Sequence, residues 1–344
     1  MSADIAAITG AAHAQMLGLG VCRPRRVVPN VDLTSAIDSS DEWIQTRSGI
    51  RQRRFAEAAE NVITMGVSAG QRAISASGIG VGDIDCVIMA TSTHLYQTPA
   101  AAPQVAHQLN IRGAAAFDVS AGCAGFCHAL ALAADMVRAG SAGHVLVIGA
   151  EKLSDNMDPT DRSTAFIFAD GAGAVVVGPS RTPKIGPVVW GSDGSQSHAI
   201  RQEPSWGEFR SDPTIERPAV RMEGTAVFRW APFTMAPVAR KALDKAGVTI
   251  DQLDAFIPHQ ANMRITEAMA RSLKIPAHVA IARDITEAGN TSAASVPLAI
   301  DTLIRGGEAR AGGIALLIAF GAGLSYAAQV VALPEICSDL PVHN

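Results

Sequence analysis

Across 344 residues the chain is 48% hydrophobic and 17% charged, enough apolar mass for a large core built as two domains or one duplicated unit. A net charge of −4 with no basic tract argues against a nucleic-acid-binding protein. Five scattered cysteines (Cys22, Cys86, Cys123, Cys127 and Cys337) with no CxxC pair argue against a disulfide or zinc framework, and for a reduced, cytoplasmic protein.

In chain order, the opening MSADIAAITGAAHAQ has no basic segment followed by an apolar run and does not read as a signal peptide. Residues 72–88, RAISASGIGVGDIDCVI, predict a helix ending at glycine, a short loop and a buried strand. The pattern returns at 241–257 in KALDKAGVTIDQLDAFI, where Ala242, Gly247, Asp254 and Ile257 match Ala73, Gly78, Asp85 and Ile88 at a constant offset of 169. That offset is close to half the chain and predicts a duplicated unit, with a boundary near residue 185 dividing 1–185 from 186–344. Strand, turn and helix follow in both halves, which predicts an α/β fold with largely parallel sheets. Two such halves packed by pseudo-twofold symmetry would bring their strand-end turns to one central site.

The first of those turns lies in FDVSAGCAGFCHALALAADMV, residues 117–137. Apolar residues at Phe126, Ala129, Leu130, Ala133, Met136 and Val137 recur at helical spacing, so Cys123 falls in the first turn of a helix. Unpaired N–H groups and the helix dipole there would favour a thiolate. A small, buried packing residue is the competing reading, and the position alone leaves both open. Cys127, one turn later, reads as packing. FADGAGAVVVG at 168–178 fails the GxGxxG pattern, since Val176 stands at its last position. Its glycines read as close packing in a strand, turn and strand.

In the second half, His259 of FIPHQANMRITEAMARSLKI follows a buried strand, and Asn290 of VAIARDITEAGNTSAASVPLAI falls at a turn much as Cys123 does. Cysteine, histidine and asparagine in that order also describe papain-like proteases. The segment CAGF lacks the tryptophan of that signature, however, and Cys123 lies deep in the chain. No metal-ligand cluster emerges from the scattered Asp, Glu and His. Residues 311–334 carry no charge and are long enough to cross a bilayer, but the GAG interruption predicts two buried strands of a core hairpin and no membrane span.

With Cys123, His259 and Asn290 singled out, the sequence resembles β-ketoacyl-acyl carrier protein synthase III, the initiating condensing enzymes of type II fatty acid synthesis. The resemblance runs from MLGLGVCRPRRVVPN to FGAGLSYAAQVV and rests on SSDEWIQTRSGI, AGCAGF, DPTDRST, PHQANMRI, GNTSAAS and FGAG. It implies the thiolase-like fold, a duplicated five-layer αβαβα structure, working as a homodimer in the cytoplasm. It also implies that Cys123 takes an acyl group from acyl-CoA as a thioester. His259 and Asn290 would donate hydrogen bonds to the thioester carbonyl of malonyl-acyl carrier protein as CO₂ leaves, each worth about 3 kcal/mol. Backbone N–H groups of Cys123 and Ala322 would form the oxyanion hole. The family usually has glycine at position 322, but the donor is backbone, so the departure threatens little. Phe320 would shield the site.

By the same resemblance, Trp43 and Arg162 would sandwich the CoA adenine, Arg47 would meet its phosphates and Asn262 the pantetheine arm. Arg264, Arg271 and Lys274, spaced 7 and 3 apart, would share one side of the helix after His259 and steer an acidic carrier protein. A solvated charged face is the plainer reading of such a run. Thr98 would lie on a loop reaching the partner's acyl channel and leave room for branched or longer primers. No metal and no cofactor is implied, since acyl-CoA enters as a substrate. Two rivals remain: a starter-unit ketosynthase or acyltransferase of a polyketide pathway, and a catalytically silent carrier-protein-binding homologue.

Overall fold

The computed structural model describes residue 5 and residues 7–336, so Cys337 lies outside the described residues. Two sheets form the frame. In the first, the strand order is Glu335–Ile336, His13–Cys22, Asp170–Ser180, Val145–Lys152, Cys86–Ala90 and Ala115–Val119. In the second it is Val189–Ser192, Ser325–Ala332, Ile314–Gly321, Ala255–Pro258 and Ala280–Ile281. Leaving aside the short C-terminal strand, each position in one sheet has its counterpart in the other.

The repeat read from sequence is therefore a repeat in space. Helix Val62–Ser77 closes on Gly78, and a 3₁₀ turn at Val81–Asp83 leads to strand Cys86–Ala90. Helix Gly224–Ala246 closes on Gly247, and a turn at Ile250–Gln252 leads to strand Ala255–Pro258. Strands Val145–Lys152 and Ile314–Gly321 continue the correspondence at the same spacing.

Both sheets are mixed, which corrects the expectation of largely parallel ones. Cys86–Ala90 runs parallel to both its neighbours, whereas Val145–Lys152 is antiparallel to Asp170–Ser180, and that strand to His13–Cys22. In the second sheet only three residues separate Gly321 from Ser325, too few for a parallel crossover, so these strands form the expected core hairpin. Asp170–Ser180 is one continuous strand, so the turn expected within FADGAGAVVVG is absent. Its glycines do serve close packing: a Cβ on Gly173 would stand 2.6 Å from Pro297 Cβ.

Helices Val62–Ser77 and Ala101–Gln108 cover the outer face of the first sheet, and Gly224–Ala246 with Met263–Leu273 covers that of the second. Between the sheets lie Gly125–Ala139 and Ser295–Arg305, completing five layers. A helix enclosed on both sides must be apolar nearly all round. Phe126, Ala129, Leu130, Ala133 and Ala134 accordingly have no exposed surface. Burying Leu130 alone contributes about 1.5–3 kcal/mol. The chain leaves the first sheet at Ser180 and enters the second at Val189. Among the described residues no helix is long and apolar enough to cross a membrane.

Candidate active site

The buried middle layer aims both its helices at one place. Cys123 sits in the 3₁₀ turn Gly122–Ala124 that opens helix Gly125–Ala139. Across the pseudo-twofold, the turn Ser292–Ala294 opens helix Ser295–Arg305, with Asn290 just ahead of it. His259 follows strand Ala255–Pro258, its N–H held by Ile318 O at 2.7 Å. All three line a single cavity of about 780 Å³.

The backbone around Cys123 is compressed. Gly122 has φ of +51°, and a Cβ there would lie 3.1 Å from Ala322 N. A Cβ on Gly321 would fall 2.6 Å from Cys123 N. Glycine at both positions thus lets the segment 321–322 lie directly against the cysteine turn, which brings the Cys123 and Ala322 amides close together. On the other side Gly289, at φ +69°, lets the chain pass Arg53 and Ala169 into Asn290. Asn290 is then fixed at three atoms. Its N–H donates to Ile167 O and its carbonyl accepts from Ala169 N, each at 2.9 Å. Its Oδ1 accepts from Ser292 N at 2.9 Å, which leaves the Nδ2 hydrogens for a ligand.

His259 is buried and its Nδ1 lies 2.7 Å from Ser295 Oγ. Ser295 Oγ already accepts from Gln260 N at 3.4 Å, so its own hydrogen is free to point at Nδ1. With the Ser295 hydroxyl donating to Nδ1, the imidazole would carry its proton on Nε2, as a donor to the cavity needs. Burial pulls the His259 pKa down to about 3, so the ring is neutral at ordinary pH. Phe320, also buried, packs edge-on against that ring at 5.6 Å between centroids.

At Cys123 the thiolate expectation is reversed. Desolvation pushes the thiol up to about 12, a hydrogen bond with Ser292 and the cysteine's own N–H oppose the rise, and the charge of Glu151 adds to it. The helix start is present, but desolvation at the cavity floor and a carboxylate nearby outweigh it. Cys127 is fully buried in the middle layer, as a packing residue should be.

The mouth of the cavity gathers the more distant residues. Helix Asp41–Ser48 begins at Ser40, whose Oγ accepts from Trp43 N, and carries Trp43 and Arg47. The Asp158–Thr164 turn is tied down by Arg221, which donates to Asp158 at 3.1 Å and Asp161 at 3.0 Å, and it presents Arg162. Arg162 Cζ stands 4.8 Å from the Trp43 ring centroid, and Arg47 Cζ 5.5 Å. An adenine between Trp43 and Arg162 needs two contacts of about 3.5 Å, so Arg162 must swing off the indole to admit it. Asn262 lines the cavity while capping helix Met263–Leu273: its Oδ1 accepts from Arg264 N at 2.9 Å and its Nδ2 donates to Arg47 O at 3.0 Å.

Arg264 is exposed at the same mouth, over the Phe228 ring at 5.0 Å. Arg271 is exposed further along the helix, away from the cavity lining. Lys274 does not share the helix face expected of it: the helix ends at Leu273, and Lys274 caps it in a left-handed conformation with φ of +57°. Thr98 is exposed and does not line the cavity of its own chain. Sequence reasoning missed Glu151, Ser292 and Ser295. The two serines lie inside GNTSAAS, and Glu151 is the first charge after the apolar run VLVIGA, followed at once by Lys152. Among the described residues no group of three or more His, Cys, Asp or Glu is placed to hold a metal ion.

The family described as 3-oxoacyl-[acyl-carrier-protein (ACP)] synthase III matches residues 117–194, and its C-terminal counterpart matches residues 243–333. The chain is 56% identical over 331 residues to the mycobacterial beta-ketoacyl-[acyl-carrier-protein] synthase III of Mycolicibacterium paratuberculosis, covering 96% of this chain and 99% of that one. It superposes on the priming beta-ketosynthase of the R1128 polyketide biosynthetic pathway with a TM-score of 0.94, at 48% identity, covering 96% and 99% of the two chains. For 3-oxoacyl-[acyl-carrier-protein] synthase III from Aquifex aeolicus VF5 the TM-score is 0.86 at 38% identity, covering 93% and 99%. By these likenesses the chain belongs to the 3-oxoacyl-[acyl-carrier-protein] synthase III family and is an acyl-transferring condensing enzyme of the thiolase-like fold.

Proposed function

We propose that this condensing enzyme loads an acyl group from acyl-CoA onto Cys123 and joins it to malonyl-acyl carrier protein with loss of CO₂, giving a 3-oxoacyl-acyl carrier protein that starts a fatty acid. The observation that carries this reading is the convergence of Cys123, His259 and Asn290 on one cavity beside the paired amides of Cys123 and Ala322. The nucleophile forms the acyl-enzyme. Neutral His259 and Asn290 Nδ2 donate to the malonyl thioester oxygen as negative charge grows there. The amides of Cys123 and Ala322 hold the oxyanion of the attack on the acyl-cysteine. Phe320 lines the cavity beside His259, where an apolar wall favours release of neutral CO₂ over retention of a carboxylate. No cofactor is required, because the thioester supplies the acyl group and decarboxylation supplies the carbanion. The testing experiment is intact-protein mass after incubation with a series of acyl-CoAs, followed by discharge with malonyl-acyl carrier protein.

The two substrates use different parts of the mouth. Trp43, Arg47, Arg162 and Asn262 form the CoA side, and Arg264 leads the carrier-protein side, with Arg271 and Lys274 extending its positive field. A crossed experiment separates them. Arg162→Ala is expected to raise the acyl-CoA KM at least fivefold and leave that for malonyl-carrier protein unchanged, while Arg264→Glu does the converse. Equal effects of both variants on both KM values would remove the assignment.

A homodimer accounts for the edge of the first sheet. Strand Ala115–Val119 is the terminal strand there, with Phe117 38% exposed and Leu95 and Tyr96 of the adjacent loop 60% and 69% exposed. Such an edge is a template for pairing with a second copy. That pairing would carry Thr98 toward the partner's acyl channel. Sedimentation should show a dimer that Phe117→Glu dissociates, and a monomeric native protein would overturn the proposal. Unpaired cysteines at 22, 86, 123 and 127 fit a reducing, cytoplasmic setting. A starter-unit ketosynthase is the second and less favoured reading: the polyketide priming enzyme is 48% identical, below the 56% of the mycobacterial synthase III. The acyl group loaded best in the mass experiment decides between them.

A further inference from the structure

Ser292 holds a backbone conformation that the rest of the fold must impose. It opens the 3₁₀ turn Ser292–Ala294 with φ of +49°. The matching turn of the first half, Gly122–Ala124, opens on Gly122 with φ of +51°, and glycine enters that left-handed region freely. A serine at the same point is strained, and such a residue persists only where its surroundings hold it.

The holding group comes from the other half of the chain. Ser292 Oγ donates at 3.0 Å to the carboxylate of Glu151, which is fully buried near the end of strand Val145–Lys152. The oxygen that receives it also accepts from Ser92 Oγ at 2.9 Å. The second oxygen accepts from Ser92 N at 3.0 Å, Thr93 Oγ1 at 2.6 Å and Thr91 Oγ1 at 3.3 Å. Five donors on two oxygens fix the carboxylate in orientation, so it is a rigid anchor for Ser292. Gly149, two residues earlier on the same face of the strand, permits the close approach: a Cβ there would run into Ala293 O.

The same serine reaches the chemistry through its backbone. Ser292 N donates to Asn290 Oδ1 at 2.9 Å. An N–H can only donate, so it selects the oxygen end of the carboxamide and leaves Nδ2 for a ligand in the cavity that Asn290 lines. Relaxing φ at Ser292 would turn the peptide between Thr291 and Ser292 and carry that N–H away from Oδ1. We propose that Glu151 is a positioning residue: acting through Ser292, it fixes the carboxamide of Asn290 so that Nδ2 meets the malonyl thioester oxygen. This rests on the condensing reading above. No proton moves in it, and Glu151 itself does not line the cavity.

Comparison of the two halves separates this role from packing. The first half makes its turn with a glycine, which has no side chain to brace. There the reactive atom belongs to the turn itself, on Cys123. In the second half it belongs to Asn290, ahead of the turn, and is aimed through the N–H of Ser292. A buried carboxylate is a costly brace for a turn that glycine forms unaided, so its presence answers to what the turn must hold. The consequence is confined to one half-reaction, because Nδ2 acts on the malonyl carbonyl and acyl transfer to Cys123 does not use it.

The test compares two single-turnover rates in each variant: acylation of Cys123 by acetyl-CoA, read by intact mass, and decarboxylation of malonyl-carrier protein. Glu151→Ala and Ser292→Ala should each lower decarboxylation about 10- to 100-fold, the effect of misplacing a donor, without slowing acylation more than about threefold. Glu151→Gln, whose amide can still bond Ser292 Oγ, should recover most of the loss. Ser292→Gly, which takes the left-handed backbone without strain, should lose less than Ser292→Ala. Added to Asn290→Ala, Glu151→Ala should cost nothing further, because no carboxamide remains to be aimed. Acylation that falls as far as decarboxylation, or a full further loss in the Asn290→Ala background, overturns the role. The Ser292 variants decide alone if Glu151→Ala does not fold. Native protein that loads an acyl group but does not decarboxylate malonyl-carrier protein removes the condensing reading, and this role with it.

Discussion

Replacing Cys123 by alanine is expected to abolish acyl loading. Native protein incubated with acetyl-CoA, isobutyryl-CoA or longer acyl-CoAs gains the mass of one acyl group, and Cys123→Ala gains none. Condensation falls to background in the same variant, because no other side chain at the closed end of the cavity is a nucleophile of comparable strength. Cys127 cannot substitute: it is fully buried one turn further along, within the apolar middle layer. The fold should survive, since the change removes one sulfur at a residue partly open to the cavity. An acyl gain that persists in Cys123→Ala would place the nucleophile elsewhere. A native protein that loads but is not discharged by malonyl-carrier protein would be an acyltransferase.

The second large effect divides the two half-reactions. His259→Ala and Asn290→Ala should each lower malonyl decarboxylation by about 10²–10³, the effect of losing one donor to a developing oxyanion. Both should leave acylation of Cys123 within a few fold of native. Their combination should cost less than the product of the separate losses, since each donor matters most when the other is in place. Because burial holds His259 down to about 3, the decarboxylation step should not change through this group between pH 5 and 8. Stability carries the opposite face of that shift. Unfolded, the imidazole takes up a proton near 6.5; folded, only near 3. In between, the unfolded chain binds the extra proton, so stability falls as pH drops, by about 1.4 kcal/mol per pH unit from this group. Thermal melts from pH 7 to 4 should show a weaker decline in His259→Asn than in native protein. A decarboxylation rate unchanged in either alanine variant would remove that residue from the proposed pair.

Much of this architecture is written locally in the chain. The duplication is visible because helix, closing glycine and buried strand each have a fixed local pattern, and the pattern occurs twice at one spacing. Cys123, His259 and Asn290 are visible for a related reason: each stands at a turn beside a strand or helix, where apolar periodicity breaks off abruptly. The resemblance of the surrounding motifs then supplies roles that spacing alone leaves open. Strand direction was legible where the connection was short, as between Gly321 and Ser325, but not for the strands flanking the 17-residue crossing from Lys152 to Asp170.

Neighbours along the chain set the helices and their ends, the core hairpin, the repeat and the three turns. Tertiary structure alone decided the ionisation of the site and the company its residues keep. The helix start at Cys123 argued for a thiolate, but desolvation and the charge of Glu151, 28 positions further on, hold the sulfur protonated. Glu151 meets Ser292 over a separation of 141 residues, a contact that no local pattern encodes. Hydrogen bonds and burial depend on distances in space between atoms far apart in sequence, and the pseudo-twofold packing of the two halves sets those distances.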